Sequence, residues 1–487
     1  MVVGGGISGL AAAWRLTRSG SAPEVIVLEG SSQVGGKLRT DTVGDLVVDV
    51  GAEAVLARRP EAVALIHEVG LGGDLVHPAV SSASVLARGR LYPLPVGTMM
   101  GVPAGPAALP GLAGLLTDDE LARVAQEPSI EAPALTGDVS VGSWVAGRMG
   151  RAVVDRLVEP LLGGVYAGHA DRLSLQATVP ALWARAQRGG PMLGPPRAES
   201  TPAEPTPAPV NAGPAGAGRA GAGPVFAGLR GGVGRLPVAL AEQLTAAGFE
   251  VRTGTTVRGL RRTPAGWRLE TGSAADPTFL DADAVILAVP PAAAARLLAF
   301  DCPAAAAELA GIETASVAVV AAAISPDQFA GVSGSGLLIP PVEGTTIKAA
   351  TFSSAKWAWV SAVDGPSGPD PLIVRMSLGR AGQESTLQHT DAELAATAID
   401  DLAKVLGRPL QPIDHRVVRW GGSLPQYAVG HVDRVRRIRL AVAAVGGLAI
   451  CGAALDGVGV PVCIAAADRA VADLHAVNGS PGWTINE

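Results

Sequence analysis

Three glycines near the start of the chain, Gly4, Gly6 and Gly9, limit its fold more than any other feature. They follow a short apolar stretch, Val2 and Val3, and open a segment with Leu10, Ala13, Trp14 and Leu16 at helical spacing that stops at Gly20. Val25-Ile26-Val27-Leu28 then forms a second apolar run, ending at Glu29. Apolar runs of this kind, joined by a helix, predict a parallel sheet covered on both faces. In a G-x-G-x-x-G turn the first glycine closes the turn, the second lets backbone approach a pyrophosphate, and the third lets helix and strand pack closely. The helix then aims free N–H groups and its positive dipole end at the phosphates. Glu29 comes 20 residues after Gly9, where a carboxylate can accept hydrogen bonds from ribose hydroxyls. The glycines alone mean little in a chain that has 63 of them. Their position between strand and helix, followed by Glu29, predicts a dinucleotide-binding α/β unit. Only Met1 to Val3 precede the turn, so a few further residues are expected upstream.

Composition removes several function classes. A chain of 487 residues should hold two or three domains. With 48% hydrophobic and 17% charged residues it is globular rather than disordered. Mean hydropathy is +0.33, yet no apolar run of ~20 residues escapes Pro, Gly or charge. The best candidate, Leu94 to Leu116, is broken by four prolines and reads as loop or peripheral surface. A net charge of −6 argues against a nucleic-acid surface. Cys302, Cys451 and Cys463 give neither a disulfide framework nor metal spacing, and the start resembles no signal peptide. A cytoplasmic protein with no metal site is expected.

Periodicity along the chain predicts three kinds of region. Val141 to Leu162 carries Trp144, Val145, Met149, Val153, Leu157 and Leu161 at three-to-four spacing and reads as one helix. Residues 81–225 are therefore expected to be mostly helical, with a Pro/Ala/Gly-rich surface insertion at 194–224. Phe226 to Leu244 reads as a glycine-rich turn and a helix, followed by strands at Val251-Arg252, Thr256-Val257, Trp267 to Leu269 and Ala284 to Val289. A sheet is expected within 312–380, then a helix from Asp391 to Leu406, a strand from Leu448 to Cys451 and a last helix from Cys463 to Val477. The expected partition is a discontinuous Rossmann-like unit (1–80, 226–295 and 426–487), a helical region (81–225) and a mixed-sheet substrate domain (296–425). The fold class is mixed α/β.

The segment after Glu29 separates the possible dinucleotides. Gly30 leads through Val34-Gly35-Gly36-Lys37-Leu38-Arg39-Thr40 to Asp49-Val50-Gly51-Ala52-Glu53. This order resembles the large FAD family of amine oxidases, phytoene desaturases and protoporphyrinogen oxidases. The resemblance implies non-covalent FAD. It places Gly4, Gly5, Gly6, Ile7, Ser8, Gly9, Glu29 and Gly30 around the dinucleotide and Gly35, Gly36 and Lys37 along the pyrophosphate and flavin. It sets Gly51, Ala52, Glu53 and Ala54 at the isoalloxazine edge. Val257 would pair its backbone with adenine, though it also reads as an ordinary core residue. Trp420, Val458, Gly459 and Val460 complete the implied set.

Further segments are similar to bacterial porphyrinogen oxidases of the Gram-positive type, which oxidise coproporphyrinogen III or protoporphyrinogen. They are Val153 to Gly168 with Leu173-Ser174, Phe226 to Leu236, Leu424-Pro425-Gln426-Tyr427 with Gly430-His431, and Gly452 to Pro461. Val462 and Ala467 depart from that pattern, which usually has aspartate and glycine there. The resemblance implies a six-electron oxidation of coproporphyrinogen III to coproporphyrin III. The flavin N5 carries the chemistry, and three O2 become three H2O2. Protoporphyrinogen IX is the near alternative. An amine oxidase, a carotenoid desaturase or a non-catalytic carrier on the same scaffold are further ones, and handover to a ferrochelatase is conceivable.

Catalytic side chains are not evident. The turn carbonyl at Gly168 is a candidate proton acceptor, and His431 is a candidate acid–base group or a structural hydrogen-bonding residue. Four substrate propionates call for cations at the pocket mouth. Arg58, Arg59, Arg88 and Arg90 are candidates, each also readable as solvated surface. The run Arg434 to Arg439 reads as a charged helix face or as a docking site for an acidic partner or the porphyrin.

Overall fold

The computed structural model describes residues 1–18, 24–194, 224–360 and 371–477. Its first layer is a five-stranded parallel sheet in the order Glu250–Arg252, Ile26–Leu28, Val2–Val3, Val285–Leu287, Leu448–Ile450. The sheet gathers strands from three distant parts of the chain, so the chain leaves it and returns twice. One face is covered by helices Ile7–Thr17, Arg235–Ala246 and Val460–Val477, which bury Leu10, Leu240, Ile464 and Ala467 against Val27 and Ile286. The other face packs Leu28, Leu287 and Ile450 against helices Pro291–Leu298, Pro303–Ala310 and His431–Val445. Burial on both sides is why the strands other than the edge strand Glu250–Arg252 are continuous apolar runs without alternation.

A seven-stranded sheet forms the second body. Its order is Pro412–Pro425, Thr314–Ile324, Leu372–Leu378, Ile347–Phe352, Gly336–Leu338, Ser84–Ala87, Arg90–Pro93. All neighbours are antiparallel except Gly336–Leu338 with Ser84–Ala87. Here the strands alternate. Ala318, Val320 and Ala322 pack under helix Asp391–Leu406, while Val317 and Val319 face a cavity. That helix has the expected bounds because a Thr390/Glu393 capping box starts it and Gly407 in the left-handed region ends it. The hairpin Thr40–Val43/Leu46–Asp49 packs Val43 and Val48 on the sheet beside Ala321, Ala323 and Trp357.

Several sequence expectations are corrected. The helix expected over Val141 to Leu162 ends at Met149, because Gly150 takes φ +92°. A second helical stretch runs from Arg151 to Tyr166, with a π-turn at Val154–Val158, and Ala167 at φ +50° stops it. Residues 84–93, read with the helical region, are strands of the seven-stranded sheet. Phe226–Leu229 is a strand between Val55–Leu56 and Leu75–Val76, so the turn begins only after it. Thr256 and Val257 lie in a loop, not a strand. Leu112, Leu115 and Leu116, expected at the periphery, are buried in the helical core with Val145 and Leu157. Gly20 and residues 195–223 of the expected insertion lie outside the described residues. Among the described residues, no helix is long and apolar enough to cross a membrane.

Candidate active site

The glycine turn does what its spacing requires. Gly4 sits at φ +112°, and a Cβ on Gly9 would collide with the Gly4 carbonyl, so both positions exclude larger residues. A Cβ on Gly6 would meet no atom within 4 Å and would project into open space. That space is a cavity of about 820 Å³. The helix Ile7–Thr17 begins at this point with no side-chain cap, leaving its first N–H groups for a ligand. Gly36 faces Gly6, a Cβ there lying 3.4 Å from the Gly6 Cα, and the Gly35 N–H donates to the Gly5 carbonyl at 2.8 Å. The floor of the cavity is therefore two backbone segments with no side chains between them.

Glu29 stands at the end of its strand as expected. Its Oε2 accepts the Gly5 N–H at 2.6 Å and its Oε1 accepts the Ser31 N–H at 2.8 Å. The Ser31 hydroxyl also donates to Oε1 at 2.7 Å, so three of the roughly four acceptor sites of the carboxylate are used and one remains. Lys37 also lines the cavity, with its side chain exposed to it.

From the turn the cavity continues past Gly51 and Ala52 to the seven-stranded sheet. The Trp420 indole N–H donates to the Val50 carbonyl at 3.1 Å and fixes that join. The wall beyond is made of Val317, Val319, Ala349, Thr351 and Ser377, faced by Gly164 and Val165 of the helix Glu159–Tyr166. One continuous chamber thus links the Rossmann-like sheet, the second sheet and the helical lobe.

Of the expected site residues, Gly4, Gly6, Ile7, Ser8, Glu29, Gly30, Gly36, Lys37, Gly51, Ala52, Val257, Trp420, Val458 and Val460 line this cavity. Gly5, Gly9 and Gly459 support the turns without lining it. Glu53 and Ala54 are corrected. Glu53 turns away to pair with Lys356 and Arg375, and Ala54 packs in the small core beside Trp357. Burial opposes ionisation of Glu53, yet the Lys356 ammonium and Arg375 guanidinium bring its carboxyl down to about 2. Arg375 also donates to the Gly51 carbonyl, so Glu53 holds a cavity residue in place from behind.

The two catalytic candidates fall outside the cavity lining. Gly168 packs on the Gln426 side chain. His431 is buried, bonds the Leu455 carbonyl through Nε2 at 3.0 Å and stacks on Tyr427 at 4.3 Å between ring centroids. Burial lowers its imidazole to about 4, offset in part by the Leu455 bond, so it stays neutral.

None of the four candidate substrate arginines lines the cavity. Arg59 pairs with Glu61, Arg88 with Glu120 at 2.7 Å, and Arg58 and Arg90 are exposed. The Arg434–Arg439 run is a charged helix face, with Arg436 on Asp433, Arg437 on Glu308 and Arg439 on Asp456. The cavity has its own cations, which sequence reasoning missed. Beside Lys37 they are Arg39, Arg296, Lys348 and Arg375; Arg419 borders the cavity too, but its guanidinium turns to the helix side of the sheet, to Asp391 and the Leu387 and His389 carbonyls. A lone charge inside an apolar run, such as Ile347-Lys348-Ala349-Ala350, was the available signal. Among the described lining residues, Glu29 is the one acid.

Residues 7–475 match the family described as flavin containing amine oxidoreductase. The chain belongs to this family. As a flavin containing amine oxidoreductase it uses FAD, and the side-chain-free floor, the uncapped helix start and Glu29 fit that dinucleotide. The chain is 38% identical to the coproporphyrinogen III oxidase of Mycobacterium tuberculosis over 474 residues, covering 96% of each. It is 32% identical to the Bacillus subtilis enzyme of the same name, covering 97% of each. Among solved structures, a protein of Exiguobacterium sp. 255-15, provisionally named a protoporphyrinogen oxidase, superposes with a TM-score of 0.80 at 31% identity over 98% of each chain. Putrescine oxidase superposes at 0.65 with 18% identity, which shows the shared fold alone.

Proposed function

We propose that the protein oxidises coproporphyrinogen III to coproporphyrin III in porphyrin biosynthesis. One observation carries this reading: a single chamber, continuous with the dinucleotide cradle, is lined by five basic residues, Lys37, Arg39, Arg296, Lys348 and Arg375, and one acid, Glu29. Such a lining suits polyanions, and coproporphyrinogen III brings four carboxylates. An amine substrate is a cation and would meet the same field as repulsion. The names of the full-length relatives point the same way, with protoporphyrinogen IX as the second reading.

FAD, when bound, supplies a two-electron acceptor that O2 can reoxidise. Removing six hydrogens from the substrate then consumes three O2 and yields three H2O2. The residues of this chain bind and orient. Gly4, Gly6 and Gly36 admit the pyrophosphate, Glu29 takes the ribose, and Gly51, Ala52 and Trp420 border the ring's place. Val317, Val319 and Val165 exclude water from the chamber. The sections 1–80, 226–295 and 426–487 would hold the cofactor and 296–425 the substrate. The enzyme would work in the cytoplasm and pass its product to a metal-inserting ferrochelatase.

The test is anaerobic mixing of the yellow protein with coproporphyrinogen III, protoporphyrinogen IX and a panel of amines. Bleaching of the flavin absorbance with appearance of red porphyrin fluorescence is expected for coproporphyrinogen III. Bleaching by an amine alone would overturn the proposal.

A further inference from the structure

Lys348 is the extra residue of a β-bulge. Its strand pairs Ile347 with Leu378 and Ala349 with Ser377, so the register slips at Lys348. Bulges re-aim side chains, and this one brings a lysine from a sheet interior to the wall of the chamber. The residue is 2% exposed, and its ammonium has a single hydrogen bond, to the Gly379 carbonyl at 2.9 Å. An ammonium has three N–H donors, and a buried charge without an opposite charge is costly. Among the described residues no carboxylate pairs with it.

The neighbouring charges increase the deficit. Arg380 is buried beside Lys348, donates through Nη2 to the Ile339 carbonyl at 3.0 Å, and leaves Nη1 without a partner. Glu159, the acid nearest to Arg380 in effect, accepts the Ala170 N–H at 2.8 Å, has Oε2 unpaired, and is pushed toward its neutral form by burial. The other cation on the sheet wall, Arg375, is already matched by Glu53.

Trp420, at the cofactor end, lies in the strand Pro412–Pro425, and two strands, Thr314–Ile324 and Leu372–Leu378, stand between it and the strand of Lys348. Three strand spacings put Lys348 ~14 Å away. That separation of the two backbones lies within the span of a tetrapyrrole and its side arms.

We propose that Lys348, backed by Arg380, is a carboxylate subsite that receives a propionate present in coproporphyrinogen and replaced by vinyl in protoporphyrinogen. This rests on the porphyrinogen reading above and makes Lys348 a specificity-determining residue. Burial and Arg380 bring the free ammonium down to about 7, and a bound carboxylate would restore its charge.

The holoenzyme, Lys348→Met and Lys348→Gln are titrated with coproporphyrin III and with protoporphyrin IX, following porphyrin fluorescence, and KM and kcat are measured for both porphyrinogens. Loss of one charged hydrogen bond should weaken coproporphyrin III by about 10- to 100-fold. Protoporphyrin IX should change by no more than about 2-fold, and the coproporphyrinogen effect should fall on KM more than on kcat. Two variants keep the test open if one is unstable. Equal losses for both porphyrins, or no loss for either, would overturn the subsite. Wild-type protein that neither binds nor oxidises any porphyrin would overturn the substrate reading instead.

Discussion

The two ends of the chamber are built from opposite materials. At the dinucleotide end the walls are backbone: Gly4, Gly6 and Gly36 leave the floor free of side chains, and Gly9 lets the helix pack against the turn behind them. At the sheet end the walls are side chains, and charge decides what can enter: Arg375 is neutralised by Glu53, and no carboxylate pairs with Lys348 among the described residues. Backbone recognition tolerates no added atom. Side-chain recognition tolerates substitution but changes its ligand. The lesson is that affinity for the cofactor and choice of substrate can be altered separately.

The largest effect should come from the backbone end. Gly9→Val puts carbon atoms where the Gly4 carbonyl stands, so the turn must open. Purified variant should be colourless, with FAD affinity reduced more than about 100-fold by titration calorimetry. A yellow, active Gly9→Val would break the comparison.

Next is Glu53, which ties the two ends together. Glu53→Gln leaves Lys356 and Arg375 without their carboxylate and should cost about 3 kcal/mol in denaturant unfolding. The pH dependence has a definite sign. The Glu53 carboxyl titrates near 2 in the folded protein, below its unfolded value of about 4.5, so its stabilisation is complete above that value. It is lost as pH falls toward 2. Wild type should lose stability across that window, and the Gln variant should lack this contribution.

A smaller effect is expected at His431. His431→Phe keeps the stack on Tyr427 but strands the Leu455 carbonyl, which should cost about 1–2 kcal/mol while kcat stays within about 3-fold. A collapse of kcat at unchanged stability would restore an acid–base role. The smallest effects belong to the arginines that do not reach the cavity. Arg58→Ala and Arg90→Ala should alter kcat/KM by less than about 2-fold in steady-state assays, since exposed surface changes are usually within ~0.5 kcal/mol.

The sequence by itself determined the parts that depend on local geometry. Gly4, Gly6 and Gly9 with Glu29 predict the turn because positive φ, helix start and strand end all follow from neighbouring residues. The helix Asp391–Leu406 was legible for the same reason, being bounded by its own caps. What faces the cavity was decided by tertiary structure. Lys348 and Arg375 come together through the pairing of two strands, and a single bulge lies at Lys348. Arg58 and Arg90 stood out as charged loop residues, yet no pairing carries them inward. Glu53 lies close to the flavin motif in sequence, but two cations from the second sheet draw it away. Backbone conformation is set by near neighbours, whereas the charge lining a cavity is set by whichever distant strands the register aligns.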